Sequence, residues 1–469
     1  MNTGRAGIRA MLLAGAMALA TPIAALADNL ADALAGAYEY SGLLEQNRAL
    51  LRAADEDVAT ALSVLRPVID FTASVSRSLN ETQSNNVVVT DRQVTSSALA
   101  LSATWLLFDN GRSRFNSQAA KELVLATRAS LLSIEQQVLL RAVVAYMNVV
   151  RANEFVALRQ NNERLLIQEL RAAQDRFEVG EVTRTDVALA EARLAEARSN
   201  LASAQGDLIN AEQEYLAVVG RLPGRLASPP SLPARPASIE AGQAVALRRH
   251  PDLLQAQHQV AATELTVMAQ DAALGPRISL TGDLSVSESH RDVSDSETAS
   301  VSLSVSQRLY QGGALAAEVR RAMANRDAAR ASLLVVQDVI EQNVATAMVA
   351  FQVARATIEA TDRQIRAAEV AFRGVREEAT LGARTTLDVL DAEQELLDAR
   401  AARIAAQSNL NVAAYQILAA QGALTAQNLG LRVQIYDPAA YYNQVKDGPA
   451  RLSPQGRQLD KVLRRLGKE

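Results

Sequence analysis

The clearest pattern along this chain is alternation with a period of two. Ile69, Phe71, Ala73 and Val75 are apolar, while Asp70, Thr72, Ser74 and Ser76 between them are small and polar. Leu99, Leu101, Ala103, Trp105 and Leu107 alternate with Ala98, Ala100, Ser102, Thr104 and Leu106. The pattern returns in Ile278, Leu280, Gly282, Leu284 and Val286, and again in Val301, Leu303, Val305 and Leu309. Such a period predicts β-strands with one apolar face. The predicted strand pairs are 67–79 with 95–108, and 277–287 with 299–309. Each pair is joined by a polar loop, 80–94 and 288–297. Runs of about ten residues suit a tilted strand crossing a bilayer, and Trp105, Phe108 and Tyr310 suit an interfacial aromatic girdle. A soluble sandwich with one wet face would carry the same alternation.

A different period follows each strand pair. Residues 112–178 and 314–380 are helical in pattern and contain no proline. At 1.5 Å per residue, each predicts a rod of roughly 100 Å. A glycine turn ends each rod, and a heptad begins after it. Val187, Leu194, Leu201, Leu208 and Tyr215 recur every seven residues, as do Ala190, Ala197, Ala204, Ala211 and Val218. In the later copy Val389, Leu396, Leu410 and Ile417 form one row, broken by Arg403, and Ala392, Ala399, Ala406, Ala413 and Ala420 form the other. Large and small residues at a and d predict an antiparallel helical hairpin with a close seam.

The two halves are copies. "EVGEVTRTDVALAEARLAEAR" at 178–198 matches "TLGARTTLDVLDAEQELLDAR" at 380–400 with an offset of 202. The same offset relates "WLLFDNG" at 105–111 to "QRLYQGG" at 307–313. Upstream, Pro67 matches Pro276 at an offset of 209, so the difference falls in the polar loops, where length is tolerated. The predicted organisation is a first repeat over 28–220, a linker over 221–238 with many prolines, a second repeat over 239–429 and a tail over 430–469. The linker is read as neither strand nor helix, and the tail as a peripheral wrap or partly disordered.

Composition narrows the function. Half the chain is apolar but only 4% is aromatic, which suits long helices packed on small side chains. The net charge of -4 gives no reason to expect a nucleic-acid partner. The absence of cysteine excludes disulfides and a lipidated N-terminal Cys. Arg5 and Arg9, the apolar run at 10–20 and "ALA" at 25–27 predict a signal peptide over 1–27. No later stretch reads as a transmembrane helix. His250, His258 and His290 are scattered, and no P-loop, nucleophile elbow or zinc motif occurs, so neither an enzyme nor a cofactor or metal is expected.

Four wet-faced strands per chain leave two sheet edges that lipid cannot satisfy, which predicts a cyclic homo-oligomer. Here the chain resembles the TolC-like family of outer membrane channel-tunnels, the outer membrane efflux proteins. The duplicated order of helices and strands, the "LFDNG" and "LYQGG" junctions and both turns carry the resemblance over nearly the whole mature chain. Within the family, "RAADEDVATALSVLRP" at 52–67 looks more like the type I secretion branch than the drug-efflux branch. The resemblance implies a mostly α fold with a membrane β-barrel part, made by a homotrimer. Its twelve-stranded barrel would stand in outer membrane lipid, continuous with a twelve-helix tunnel in the periplasm. It implies as partners a periplasmic membrane fusion (adaptor) protein and an inner-membrane ABC or proton-driven transporter. The rival readings are a periplasmic coiled-coil adaptor, which would have one hairpin flanked by β-rich domains, and a structural scaffold, which would leave the strands unexplained.

The resemblance also implies site residues. Asp388 and Asp391 match the family's acidic constriction ring at the periplasmic tip. Arg384 matches the arginine that links to first-turn residues, here Thr185 and Asp186, and holds the tip shut. Helical spacing puts Arg384, Asp388 and Asp391 on one face. The turns themselves, with Val179, Gly180 and Thr183 in the first and Leu381, Gly382 and Thr385 in the second, match the adaptor contact. Ala379 stands where the family prototype has a tyrosine lock. Threonine and aspartate are also ordinary residues at a helix start, where they cap it.

Overall fold

A computed structural model describes residues 28–84, 87–227, 231–289, 295–451 and 453–465. The segment read as a signal peptide, 1–27, lies outside them. One order of elements occurs twice. The first copy runs α1 (Leu30–Tyr40), α2 (Gly42–Ser63), β1 (Val68–Ser84), β2 (Val87–Phe108), α3 (Arg112–Glu178) and α4 (Arg184–Val219). The second runs α5 (Ile239–Arg249), α6 (Pro251–Ala272), β3 (Arg277–Ser289), β4 (Ser296–Ser306), α7 (Ala314–Thr380) and α8 (Thr386–Ala420). Two short helices follow, α9 (Pro438–Val445) and α10 (Pro454–Arg465).

Backbone contacts divide the chain into two units. Among the described residues, the hairpin unit holds those of 28–40, 141–233 and 351–414, and the sheet unit those of 41–140, 234–350 and 415–465.

In the sheet unit the strands form one antiparallel sheet in the order β1-β2-β3-β4, so the strand pairs of the two repeats join through β2 and β3. The register aligns the alternation across all four strands. Phe71 faces Leu101, Leu101 faces Leu284, and Leu284 faces Ala299. One row along, Thr72, Ala100, Ser285 and Thr298 are neighbours on the opposite face. That face is tied by hydroxyl pairs, with Ser279 and Ser304 2.8 Å apart and Ser287 and Ser296 2.9 Å apart. On the apolar face, Phe71, Leu101, Leu284 and Val301 are all exposed within the single chain.

The strands differ in length from the predicted ones. β1 and β2 continue through most of the segment read as the polar loop 80–94. Apolar alternation marks only the part of a strand with one buried face. The backbone ladder needs no apolar side chain and runs on through "VVVTDRQVT", where β-branched residues favour it. At its other end β4 stops at Ser306, short of the predicted 309, and Leu309 and Tyr310 lie outside it. Gln307 turns back there to donate to the Leu274 carbonyl at 3.2 Å.

The tail is ordered where described. Val445 is fully buried, the Tyr441 hydroxyl donates to Glu56 at 2.7 Å, and Arg128 stacks over the Tyr442 ring at 5.1 Å. Of the two readings of the tail, these contacts fit the peripheral wrap over the described residues 430–451 and 453–465. A correction concerns hydropathy: α3 and α7 each contain an 18-residue window with a mean hydropathy of 1.2, apolar enough to cross a membrane by length and composition alone.

In the hairpin unit, the heptad positions Ala190, Leu194, Ala197, Ala204, Tyr215 and Val218 of α4 are buried, as are Val389, Leu396, Ala399, Ala406 and Ala413 of α8. Arg403, the exception in the heptad, reaches out to Asp362 on α7 at 2.6 Å. The proline-rich linker is neither helix nor strand where described, apart from one bridge between Asp28 and Leu226. Tyr146 pins that bridge by donating to the Ala227 carbonyl at 2.7 Å.

Candidate functional site

The two turns sit at the ends of the α3–α4 and α7–α8 hairpins and are built from the same bonds. In the first, Glu181 N–H donates to the Arg176 carbonyl at 2.9 Å and Gly180 N–H to the Phe177 carbonyl at 3.0 Å. In the second, Ala383 N–H donates to the Glu378 carbonyl at 2.9 Å and Gly382 N–H to the Ala379 carbonyl at 3.2 Å. These are paired Schellman closures, which need a left-handed residue. Gly180 and Gly382 supply it, with φ of 81° and 77°. Val179 and Leu381, beside the glycines, are 71% and 85% exposed, so each turn tip presents an apolar side chain to its surroundings.

Each following helix opens on the same cap. Asp186 N–H donates to the Thr183 hydroxyl at 3.3 Å, while Thr183 N–H donates to the Asp186 carboxylate at 2.9 Å. Asp388 N–H donates to the Thr385 hydroxyl at 3.2 Å, and Thr385 N–H to the Asp388 carboxylate at 2.9 Å. Both threonine hydroxyls also donate to those carboxylates. These are capping boxes, with aspartate in the role usual for glutamate. The threonine bonds hold both carboxyls below the usual carboxylate range.

Within one chain the residues expected to act together are bonded to other partners, although the Arg384 and Asp388 charges favour each other. Arg384 donates to Glu378 at 2.9 Å, across its own turn, and that bond raises its pKa. Asp391 receives Arg193 of α4 at 2.9 Å, and the same arginine reaches Glu196 at 3.3 Å. Among the described residues, no hydrogen bond or ion pair joins Arg384 to Asp186, Thr185, Asp388 or Asp391 within one chain. Thr185 is exposed. Ala379 is a core residue, packed in a cluster with Phe372, Val389 and Leu396. Sequence reasoning missed Glu378 and Arg193. The first lies six residues before Arg384, a spacing meaningful only once the turn is folded. The second faces a helix of the other repeat.

The fold is that of an outer membrane channel: over 89% of each chain it superposes on CmeC of Campylobacter jejuni with a TM-score of 0.74, at 18% identity. The chain belongs to the outer membrane efflux protein family, whose sequence profile matches residues 37–221 and 244–423. It is 37% identical to the outer membrane efflux protein BepC of Brucella suis over 440 residues, 93% of this chain and 94% of that one. It is 28% identical to the alkaline protease secretion protein AprF of Pseudomonas aeruginosa over 66% of each chain. The protein is thus a TolC-like channel of the outer membrane, in a family with efflux and secretion members.

Proposed function

We propose that the chain is the outer membrane exit duct of a tripartite export machine, serving type I protein secretion or multidrug efflux. It is a passive channel and not an enzyme. Three copies assemble, their sheets closing one barrel and their hairpins one tunnel. The tip opens when an adaptor protein and an inner-membrane transporter engage the turns. Val179 and Leu381 are the apolar contacts the adaptor covers. Asp388 and Asp391 line the narrowest point and select for cations. Arg384 can bind Asp186 or Thr185 of a neighbouring copy by giving up Glu378, which lies at a solvated surface where the exchange costs little.

The observation that carries this reading is the sheet. All four strands present one continuous apolar face, and no described strand pairs with the outer edge of β1 or of β4. Lipid cannot satisfy such edges, but further copies of the same sheet can. Purified mature protein is expected to be a detergent-dependent trimer that conducts ions across planar bilayers. A monodisperse monomer in plain buffer overturns the reading.

A further inference from the structure

The second hairpin holds a buried carboxyl that channel function as described does not use. Glu393 lies on α8, one position past the heptad residue Ala392, and is only 6% exposed. Its Oε1 accepts from Asn162 Nδ2 on α3 at 2.7 Å. Its Oε2 is closed off from solvent and has no hydrogen-bond donor among the described residues. The charged groups around it are already engaged. On α3, Glu169 is paired with Arg376 of α7 at 3.0 Å, and Glu163 with Arg198 of α4 at 3.1 Å. On α7, Glu369 is paired with Arg400 of α8 at 2.7 Å, and Arg373 donates to the Glu369 carbonyl at 3.2 Å. On α4, Arg193 is held by Asp391 and Glu196. Apolar side chains complete the surroundings, with Leu165, Phe372 and Leu396 lining the adjoining cavity.

We propose that Glu393 and Asn162 form a proton-operated clasp between the two repeats. A proton from solvent, seated on Oε2, holds α8 against α3, and ionisation of Glu393 loosens that contact. One proton is taken up from water on closing and returned to water on opening. Ionised, Glu393 is a buried charge with a single donor, an arrangement that costs free energy unless it is relieved by protonation or by hydration. Burial pushes this carboxyl up to about 7, the nearby Glu169 charge adds to the rise, and the Asn162 bond and the Arg376 charge oppose it. The packed state therefore binds more protons than the loosened one between the ordinary carboxyl value of 4.5 and about 7. The clasp is at full strength below that window and is lost as pH rises through about 7. In the window, the bias toward the packed state changes by up to about tenfold per pH unit. That loosening opens the tip rests on the exit-duct reading; the clasp itself belongs to one chain.

The test uses the full-length mature protein in detergent and in planar bilayers, from pH 5 to 8. Hydrogen exchange of residues 386–400, corrected for its intrinsic pH dependence, should speed several-fold as pH rises, and channel opening should rise with it. Glu393→Gln should flatten both profiles at the slow, closed limit. Asn162→Leu removes the one donor to the ionised form and should move the midpoint to higher pH. A wild-type exchange profile that is flat, or that Glu393→Gln leaves unchanged, overturns the clasp, as does a downward shift in Asn162→Leu. If Glu393→Gln does not fold, the wild-type profile and the Asn162→Leu shift still decide. If no channels form but exchange follows the expected pattern, the clasp stands and the exit-duct reading falls. Active channels with flat exchange defeat the clasp alone.

Discussion

Residues 178–198 and 380–400 place the same turn, the same cap and the same heptad at the ends of two hairpins, yet they differ in what surrounds them. Glu191 is exposed, while its counterpart Glu393 is buried against Asn162. The offset of 202 carries Asn162 to Gln364, which is exposed as well. Local geometry is therefore repeated faithfully, because a glycine with positive φ and a Thr-x-x-Asp cap specify it without help from neighbours. Burial is not repeated, because within one chain α8 has α3 beside it and the matching faces of α4 and α7 have no such partner. In the ring of chains proposed above, the contact of α8 on α3 would recur as α4 of one copy on α7 of the next, with Glu191 and Gln364 as its two halves.

Cross-linking tests the difference between the two hairpins directly, with an outcome that is all or none. The natural chain has no cysteine, so introduced pairs are the only thiols present. Glu191→Cys with Gln364→Cys should give covalent dimers and trimers on non-reducing gels after oxidation in membranes. Asn162→Cys with Glu393→Cys should give a bond within one chain and no ladder. A ladder from the second pair, or none from the first, would show that the two hairpins do not alternate around the ring.

The caps should respond alike, because their bonds are local. Thr183→Ala and Thr385→Ala should each destabilise the adjoining helix by about 1 kcal/mol, read as faster hydrogen exchange in its first turn. The two carboxyls are held below their usual range, so their contribution is present at neutral pH and lost as pH falls through the lowered values. The gap between wild type and either variant should accordingly shrink below about pH 4. A clear difference between the two sites would mean that one threonine has a partner in the assembly.

Legibility from sequence followed the same division. The long helices, both turns and the heptad seams were readable, because absence of proline, a glycine at a helix end and a seven-residue period are local signals. Strand ends were not, since alternation traces a half-buried face while hydrogen bonding continues through polar residues such as Thr90 and Thr95. The order of the tail was hidden for a related reason: Tyr441 and Val445 find their partners in residues far away in sequence. At the tip, residue types were readable and pairings were not. A glutamate sits beside the seam in both copies, Glu191 and Glu393, and only the neighbouring helix decides whether it is covered.

The smallest expected effect tests where Arg384 belongs. Within one chain it is bonded to Glu378, and both side chains are about half exposed. An exposed ion pair contributes little, so moving this arginine to a neighbour's Asp186 in a closed tip requires only a slightly better site there. Arg384→Ser should then raise channel open probability by less than about fivefold, with the seam still holding the tip. Asp186→Ala should produce a similar rise, and the double variant should add little to either, because both remove one link. Glu378→Ala should act in the opposite direction, since it frees the arginine for the neighbour. Single-channel recording of the four variants separates the cases. If Glu378→Ala opens the channel as Arg384→Ser does, and Asp186→Ala changes nothing, then the arginine braces its own turn and the second hairpin closes the tip without a link to the first.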